Sequence, residues 1–304
     1  MRLFKKTNIN FMALRGKMYF LSSAIIVVGL ISLFIKGVNY GIDFRGGTEL
    51  VLSLSERADY GQLRGALGKA GFSDSEIKSF GNDQTILIRT TQQAEGMIVA
   101  NKIKDAIQTS LPNQSFQVLR EDKIGPKIGK ELRRDAMYAV VASLFVILVY
   151  VAIRYKFLYG MGAVLSLYHD VLLTLGIISL LDGVVPFLNL EITQEIVAAF
   201  LTIVGLSVND TVVVFDRIRE NSKIYRSLSL TDVMNKSLND TLSRTFITNG
   251  TILSVLLVLL FAGGEVTRGF AFAMVIGTIT GTYSSIYIAS AVVLDTTLRI
   301  KKPE

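Results

Sequence analysis

Three ionisable residues stand inside stretches that are otherwise apolar. Asp210 lies in Gly205-Leu-Ser-Val-Asn-Asp-Thr-Val-Val-Val-Phe-Asp-Arg-Ile-Arg-Glu-Asn221, and His169 and Asp170 fall midway along Phe157–Leu181. A charge near the centre of a bilayer costs about 2.5–3.5 kcal/mol on insertion scales, so such residues mark a pathway or a partner by default. Asp210 is about five residues, roughly 8 Å at 1.5 Å per residue, from the end of its apolar stretch, and Arg244 opens the next stretch from the same side. The long arginine side chain can reach that depth. Asp210 and Arg244 are therefore expected to meet as an ion pair between neighbouring helices, with Ser207 and Thr211 on the Asp210 face and Asn209 beside it. Burial and a nearby guanidinium pull a carboxylate in opposite directions, so a rearrangement that moves Arg244 away would let Asp210 take up a proton. The other reading is a fixed salt bridge that only holds the helices together. His169 and Asp170 form a second candidate, because an imidazole suits proton relay; a plain interhelical hydrogen bond is the alternative there.

Other chemistry is poorly supplied. There is one histidine, no cysteine, and neither G-x-S-x-G nor H-E-x-x-H occurs, so triad, zinc-hydrolase and thiolate-metal sites have no constellation behind them. Gly125-Pro-Lys-Ile-Gly129-Lys130 resembles a phosphate loop but has three residues between its glycines instead of four, and Glu131 follows it rather than Ser or Thr. Pro126 also removes a backbone donor that such a loop needs. No ATP site, cofactor, metal or enzymatic activity is expected, so any work done by the protein draws its energy from elsewhere.

The elements that position these residues are helices in lipid. Of the 304 residues 50% are hydrophobic and 19% charged, against about 25% charged in soluble domains, and the mean hydropathy is +0.46. The apolar residues gather in 18–35, 136–153, 157–181, 196–215, 246–263 and 270–294, each long enough, at about 17–25 residues, to cross a bilayer. No A-x-A-like site follows Ile35, so the first stretch reads as an uncleaved anchor. Basic residues flank one side: Arg2, Lys5, Lys6, Arg15 and Lys17; Arg154 and Lys156; Arg217, Arg219, Lys223, Arg226 and Lys236; Arg299, Lys301 and Lys302. The opposite short loops hold Arg268 with Asp182, Glu191, Glu195 and Glu265. The positive-inside rule then places 1–17, 216–245 and 295–304 in the cytoplasm. The net charge of +7 is thus a topology signal and not a nucleic-acid footprint. Tyr19, Tyr40, Tyr138, Tyr155 and Tyr159 are expected to form the aromatic belt. Leu230, Val233, Met234, Leu238 and Leu242 recur on one face after Ser229, which predicts an amphipathic helix lying on the membrane within 216–245. Ala273, Gly277, Gly281 and Ser285, four residues apart, form a small-residue ridge for helix packing.

Residues 36–135 make a connection too long for its charge to decide its side, and it has the grammar of an α+β domain outside the cytoplasm. Leu50, Leu52 and Leu54 alternate as a strand. Asp59 can cap a helix with Leu63, Ala66, Leu67 and Ala70 on one face, stopped by Gly71. Residues 76–80 and 85–90 flank Gly81-Asn-Asp83 as a hairpin. Val99, Ile103, Ala106 and Ile107 mark a second helix ending at Leu111-Pro112, and 115–119 reads as a last strand. The order β-α-β-β-α-β is the ferredoxin-like arrangement. The predicted fold is a six-helix polytopic membrane protein with this small domain between the first two spans.

Gly41-Ile-Asp-Phe-Arg-Gly-Gly-Thr48 resembles the signature of the SecD/SecF family, a branch of the resistance–nodulation–division superfamily, at Gly41, Asp43, Gly46, Gly47 and Thr48. Asn209-Asp-Thr-Val-Val-Val-Phe-Asp-Arg-Ile-Arg-Glu220, Arg268-Gly-Phe-Ala-Phe-Ala273 and Gly281-Thr-Tyr-Ser-Ser-Ile-Tyr-Ile-Ala-Ser290 are similar to its SecF branch in particular, as is Gly125-Pro-x-x-Gly129. Arg45, where Thr is common, and Ala291, where Pro often follows, depart from the pattern. The resemblance covers nearly the whole chain. It implies an accessory subunit of the Sec preprotein translocase in the bacterial inner membrane. That subunit pairs with SecD, associates with SecYEG and YajC, and uses the proton motive force to help draw a translocating polypeptide across. It also implies an essential membrane carboxylate at Asp210 with Arg244 as its partner. The implied partners are therefore SecD, the channel, the polypeptide, protons and lipid, with no nucleic acid. Two rival readings are a proton-coupled exporter of a lipid or small molecule, and a scaffold with no energy input.

Overall fold

The computed structural model describes residues 7–92, 97–112, 114–155, 157–185 and 188–300. The predicted topogenic residues Arg2, Lys5, Lys6, Lys156, Lys301 and Lys302 lie outside the described residues. The chain forms two compact units, residues 39–138 with 183–194, and residues 1–38, 139–182 and 195–304.

The first of these is built on a four-stranded antiparallel sheet with two longer helices and one single-turn helix. Its elements are a short helix α2 (Ile42–Arg45), β1 (Gly47–Leu54), α3 (Tyr60–Lys69), β2 (Glu76–Phe80), β3 (Asn82–Thr90), α4 (Ile98–Ser110) and β4 (Phe116–Ile124). The spatial order is β2-β3-β1-β4, every neighbouring pair antiparallel. Strand β3 thus splits the β1-α3-β2 unit, which is the ferredoxin-like topology. Local chemistry sets the ends. Asp59 accepts hydrogen bonds from the backbone N–H of Gly61 and Gln62 to open α3, and its apolar stripe of Leu63, Ala66 and Leu67 is buried. Leu50, Leu52, Leu63, Ile86, Ile88, Ile103 and Ile107 form the centre of the core. Two boundaries differ from the sequence expectation. The hairpin turns on Gly81 alone, at φ +90°, and β3 starts at Asn82, whose Oδ1 accepts from the N–H of Gln84 and Thr85. Strand β4 runs on to Ile124, since a register shift opposite Val51/Leu52 lets pairing resume along β1.

The other unit is helical. Six helices are long and apolar enough to cross a membrane: α1 (Phe11–Lys36), α5 (Pro126–Arg154), α6 (Phe157–Leu181), α7 (Gln194–Ile224), α8 (Leu230–Ala262), and a last helix of α9 (Glu265–Ser284), a π-helical turn (Ser285–Ala289) and α10 (Ser290–Ile300). All but α6 outrun their apolar stretches, because helices continue past the lipid wherever caps and packing support them. The expected interfacial helix in 216–245 is not there. Helix α7 continues to Ile224, and Ser229, accepting from the N–H of Asp232, opens a 33-residue α8 that runs unbroken through the fifth apolar stretch. Val233, Met234, Leu238 and Leu242 are buried, and the last three join a protein core with Phe11, Met12, Phe215 and Ile218. Asn235 and Asn239 clamp the start of α1, accepting from the N–H of Met12 and Ile9. One-sided apolar periodicity fits a lipid surface and a protein surface equally well; here protein covers it. Nor do all the belt tyrosines face outward: Tyr138 is exposed, whereas Tyr155 is buried.

Candidate functional site

The polar side chains of α6, α7, α8 and α9 gather into two carboxylate centres. Asp170 is fully buried. Its Oδ1 lies 2.9 Å from Nδ1 of His169, and its Oδ2 accepts from the hydroxyls of Ser207 at 2.5 Å and Ser284 at 2.7 Å. Donors from three helices thus converge on one carboxylate. Ser284 is the last residue before the π-helical turn, a local widening that recurs at functional sites. The His169 ring stacks on Tyr283 at 5.7 Å, and the Tyr283 hydroxyl donates to the Met18 carbonyl of α1 at 2.6 Å. No protein atom among the described residues bonds the buried Nε2 of His169.

Asp210, one turn beyond Ser207 on α7, is held differently. It is 7% exposed, and its Oδ2 accepts from Nδ2 of Asn249 at 2.5 Å. The same amide nitrogen reaches Thr282 Oγ1 at 2.6 Å. The expected Asp210–Arg244 ion pair is absent among the described residues. Arg244 is exposed and acts on the carboxylate only through space, while a neutral amide one and a half turns further along α8 occupies the contact position. Ser207 shares the Asp210 face, as expected, yet it serves Asp170. Thr211 Oγ1 is buried without a protein partner among the described residues. Asn209 is exposed, because neighbouring residues on a helix point about 100° apart, and it takes no part in either centre. Nothing in the sequence marks Asn249, and Thr282, Tyr283 and Ser284 stand in it only within the stretch 281–290 that carries the family resemblance, with no role of their own. Neutral polar residues in apolar helices are too common for composition to flag them.

The small-residue ridge lies close to α7. A Cβ on Gly277 would run into the Ile203 side chain, and one on Gly281 would come within 3.2 Å of Ser207 Cβ. Ala273 and Ser285 are buried. The approach brings the hydroxyl of Ser284 to the same carboxylate as that of Ser207.

In the α+β unit a third buried carboxylate, Glu191, meets cations directly. The connection 183–194 folds into this unit: the N–H of Gly41 donates to the Ile192 carbonyl and that of Ile192 to the Asn39 carbonyl. Glu191 is 1% exposed. It pairs with Arg89 at 2.8 Å and with Lys78, and Arg89 also pairs with Glu49 at 2.5 Å. Burial alone would push the Glu191 carboxyl up, but the hydrogen bonds and charges of Arg89 and Lys78 outweigh it and hold the group below the usual range.

Comparison with known proteins settles the lineage. The family described as "Protein export membrane protein SecD/SecF, C-terminal" matches residues 102–299, and the "SecD/SecF GG Motif" matches residues 31–56. The chain belongs to the SecD/SecF family. It is a SecF-type member, 44% identical over 295 residues to the protein translocase subunit SecF of Rhodothermus marinus, covering 97% of this chain and 95% of that one. With the SecF of Pseudomonas aeruginosa it shares 37% over 286 residues, covering 94% and 90%. The crystal structure of SecDF, a translocon-associated membrane protein from Thermus thermophilus, aligns with 96% of the chain at 37% identity and a TM-score of 0.85; the chain spans 39% of that longer protein. A role in protein export follows from this membership.

The SecD/SecF signature now has a physical reading. Gly46 and Gly47 both have positive φ, at +74° and +134°, and a Cβ on Gly47 would meet the Thr90 carbonyl oxygen. Asp43 Oδ2 accepts from the N–H of Gln194, the first residue of α7, at 3.0 Å. Thr48 Oγ1 faces the Gln92 carbonyl at 3.5 Å. Signature residues thus turn the chain into β1 and cap the helix that carries Asp210.

Proposed function

We propose that this SecF-type chain works with SecD at the SecYEG channel, alongside YajC, and couples proton entry to protein export across the bacterial inner membrane. Both termini lie in the cytoplasm and residues 36–135 outside it, as the lysine and arginine distribution indicates. Asp210 is the titrating carboxylate. The observation that carries this reading is its partner set: a buried acid bonded by one neutral amide, with Arg244 acting at a distance. Such a group can gain or lose a proton without breaking an ion pair. Asp170, bonded by His169, Ser207 and Ser284, is a fixed knot between helices and not a carrier.

The energetics suffice. One charge crossing about 150 mV releases about 3.5 kcal/mol, and resetting a two-state element from 1:99 to 99:1 takes about 5.5 kcal/mol. Two protons, at about 7 kcal/mol, can therefore drive a conformational cycle. Protonation of Asp210 releases Asn249 and shifts α7 against α8 and α9. Helix α5, unbroken from Pro126, transmits the shift to the α+β unit.

The test is export in cells whose only copy carries Asp210→Asn, followed with and without an uncoupler after normal insertion and assembly have been verified. Asparagine is nearly isosteric but cannot titrate. Export that is reduced and no longer responds to the uncoupler is the expected result. Full export with its uncoupler sensitivity intact would show the carboxylate to be structural.

A further inference from the structure

The end of α5, the start of α6 and the last turns of α7 enclose a cleft of about 570 Å³ that no step of the proton cycle uses. That size falls within the range of small-ligand pockets, about 300–1,000 Å³. Its floor is aromatic and interlocked. Phe215 meets Tyr159 edge-on at 4.9 Å and Tyr155 at 5.8 Å, and the two tyrosines stack at 6.4 Å. Its rim is cationic, formed by Arg154, Arg219 and Lys223 with the hydroxyl of Ser222. Arg154 lies over the Tyr155 ring and pairs with Asp216 at 3.1 Å, so its charge is already offset. Arg219 and Lys223 are not offset. They sit one turn apart on α7, both are exposed, and neither has an acidic partner among the described residues. Glu220, between them in sequence, pairs instead with Arg217.

Two like charges on one helix face repel each other, and an anion held between them relieves that repulsion. The depth of the rim identifies the anion. Arg154, Tyr155 and Tyr159 fall where two apolar stretches meet, and Phe215 ends a third, with the cations one and two turns beyond it. Rings at the apolar boundary and cations just outside match the profile of a headgroup layer. Basic pockets between spans at the positively charged end of a bundle hold phosphate-bearing headgroups. We propose that the cleft is a binding site for the headgroup of an anionic phospholipid. Arg219 and Lys223 hold the phosphate, and the partly exposed Tyr159 ring, backed by Phe215 and Tyr155, takes the glycerol and the first acyl carbons.

The full chain in detergent, given equal amounts of phosphatidylglycerol and phosphatidylcholine, tests this by native mass spectrometry of retained lipid. The wild type should retain the anionic lipid selectively, and R219A/K223A should lose that selectivity by roughly thirtyfold, since each basic residue near an anionic lipid surface contributes about fivefold. Neither side chain packs in the core, so the variant should keep the wild-type melting temperature. A charge-preserving R219K/K223R chain should retain the lipid and separates loss of charge from loss of fold. Equal retention of the two lipids by the wild type, or unchanged selectivity in R219A/K223A, would overturn the proposal. So would full displacement of the lipid by millimolar inorganic phosphate, which would make the cleft a site for a soluble anion.

Discussion

The α+β unit and the helical unit each bury carboxylates, and they satisfy them in opposite ways. Glu191 touches two cations, Arg89 and Lys78, and Arg89 is shared with Glu49. Among the described residues, Asp170 and Asp210 touch neutral or neutralisable donors: hydroxyls, an imidazole and an amide. A carboxylate between cations is fixed as an anion, and protonating it strands the positive charge around it. A carboxylate held by hydroxyls or an amide can be protonated without stranding a charge, so its hydrogen bonds can change with its protonation state. The first arrangement suits a rigid lever and the second a site that changes charge. The two membrane acids differ in turn: three donors from three helices tie Asp170 down, and one amide holds Asp210.

The comparison breaks most visibly at Glu191. Removing one partner of a buried ion network costs about 3–5 kcal/mol, so Glu191→Ala should sharply lower amide-exchange protection of β1 and β3 in the full chain. Protection equal to wild type would mean the network is dispensable. The same group sets a pH dependence. Its folded-state value lies below the ordinary glutamate value of about 4.3, so its contribution is complete above that value and is lost as pH falls through the lower, folded one. Exchange protection of the α+β unit should therefore decline in that acid window, and Glu191→Gln should flatten the decline.

A smaller effect is expected at Asp170. Asp170→Asn keeps the shape but replaces one acceptor oxygen with an amide donor facing His169, Ser207 or Ser284, and losing one partner of a buried hydrogen bond costs about 1–3 kcal/mol. The thermal melting temperature should fall while the helical content stays the same. Smaller still is Asp43→Ala, which uncaps α7 at Gln194. Loss of a cap costs typically about 1 kcal/mol, and the change should appear as faster amide exchange confined to the first turn of α7.

Much of this was legible in the sequence because it is written locally. The six apolar stretches, the β-α-β-β-α-β order and the Asp59 cap depend on residues within a few positions of one another. Asp210 stood out because a charge among valines is costly wherever the helix packs. The Glu191–Arg89 pair was not legible, since it joins a short connection to a strand some hundred positions earlier and neither residue is unusual in a polar segment. Asn249 was missed for a related reason: Arg244 is the conspicuous cation nearby, and residue type favoured it over an amide one and a half turns on. The amphipathic stretch after Ser229 misled because periodicity reports that a face is covered and not by what. His169 and Asp170 were visible as a pair, but the two serines that turn Asp170 into a knot come from other helices.

The central claim is that Asp210 carries the proton and Asp170 does not. Proton flux into proteoliposomes containing the full chain with its SecD partner, driven by an imposed membrane potential, tests it most directly. Wild type, Asp210→Asn and Asp170→Asn would be compared at equal protein incorporation. Flux abolished in Asp210→Asn and retained in Asp170→Asn is the result expected. Flux retained in Asp210→Asn, or lost only in Asp170→Asn, would contradict the account and move the carrier to the His169–Asp170 centre or to the SecD partner.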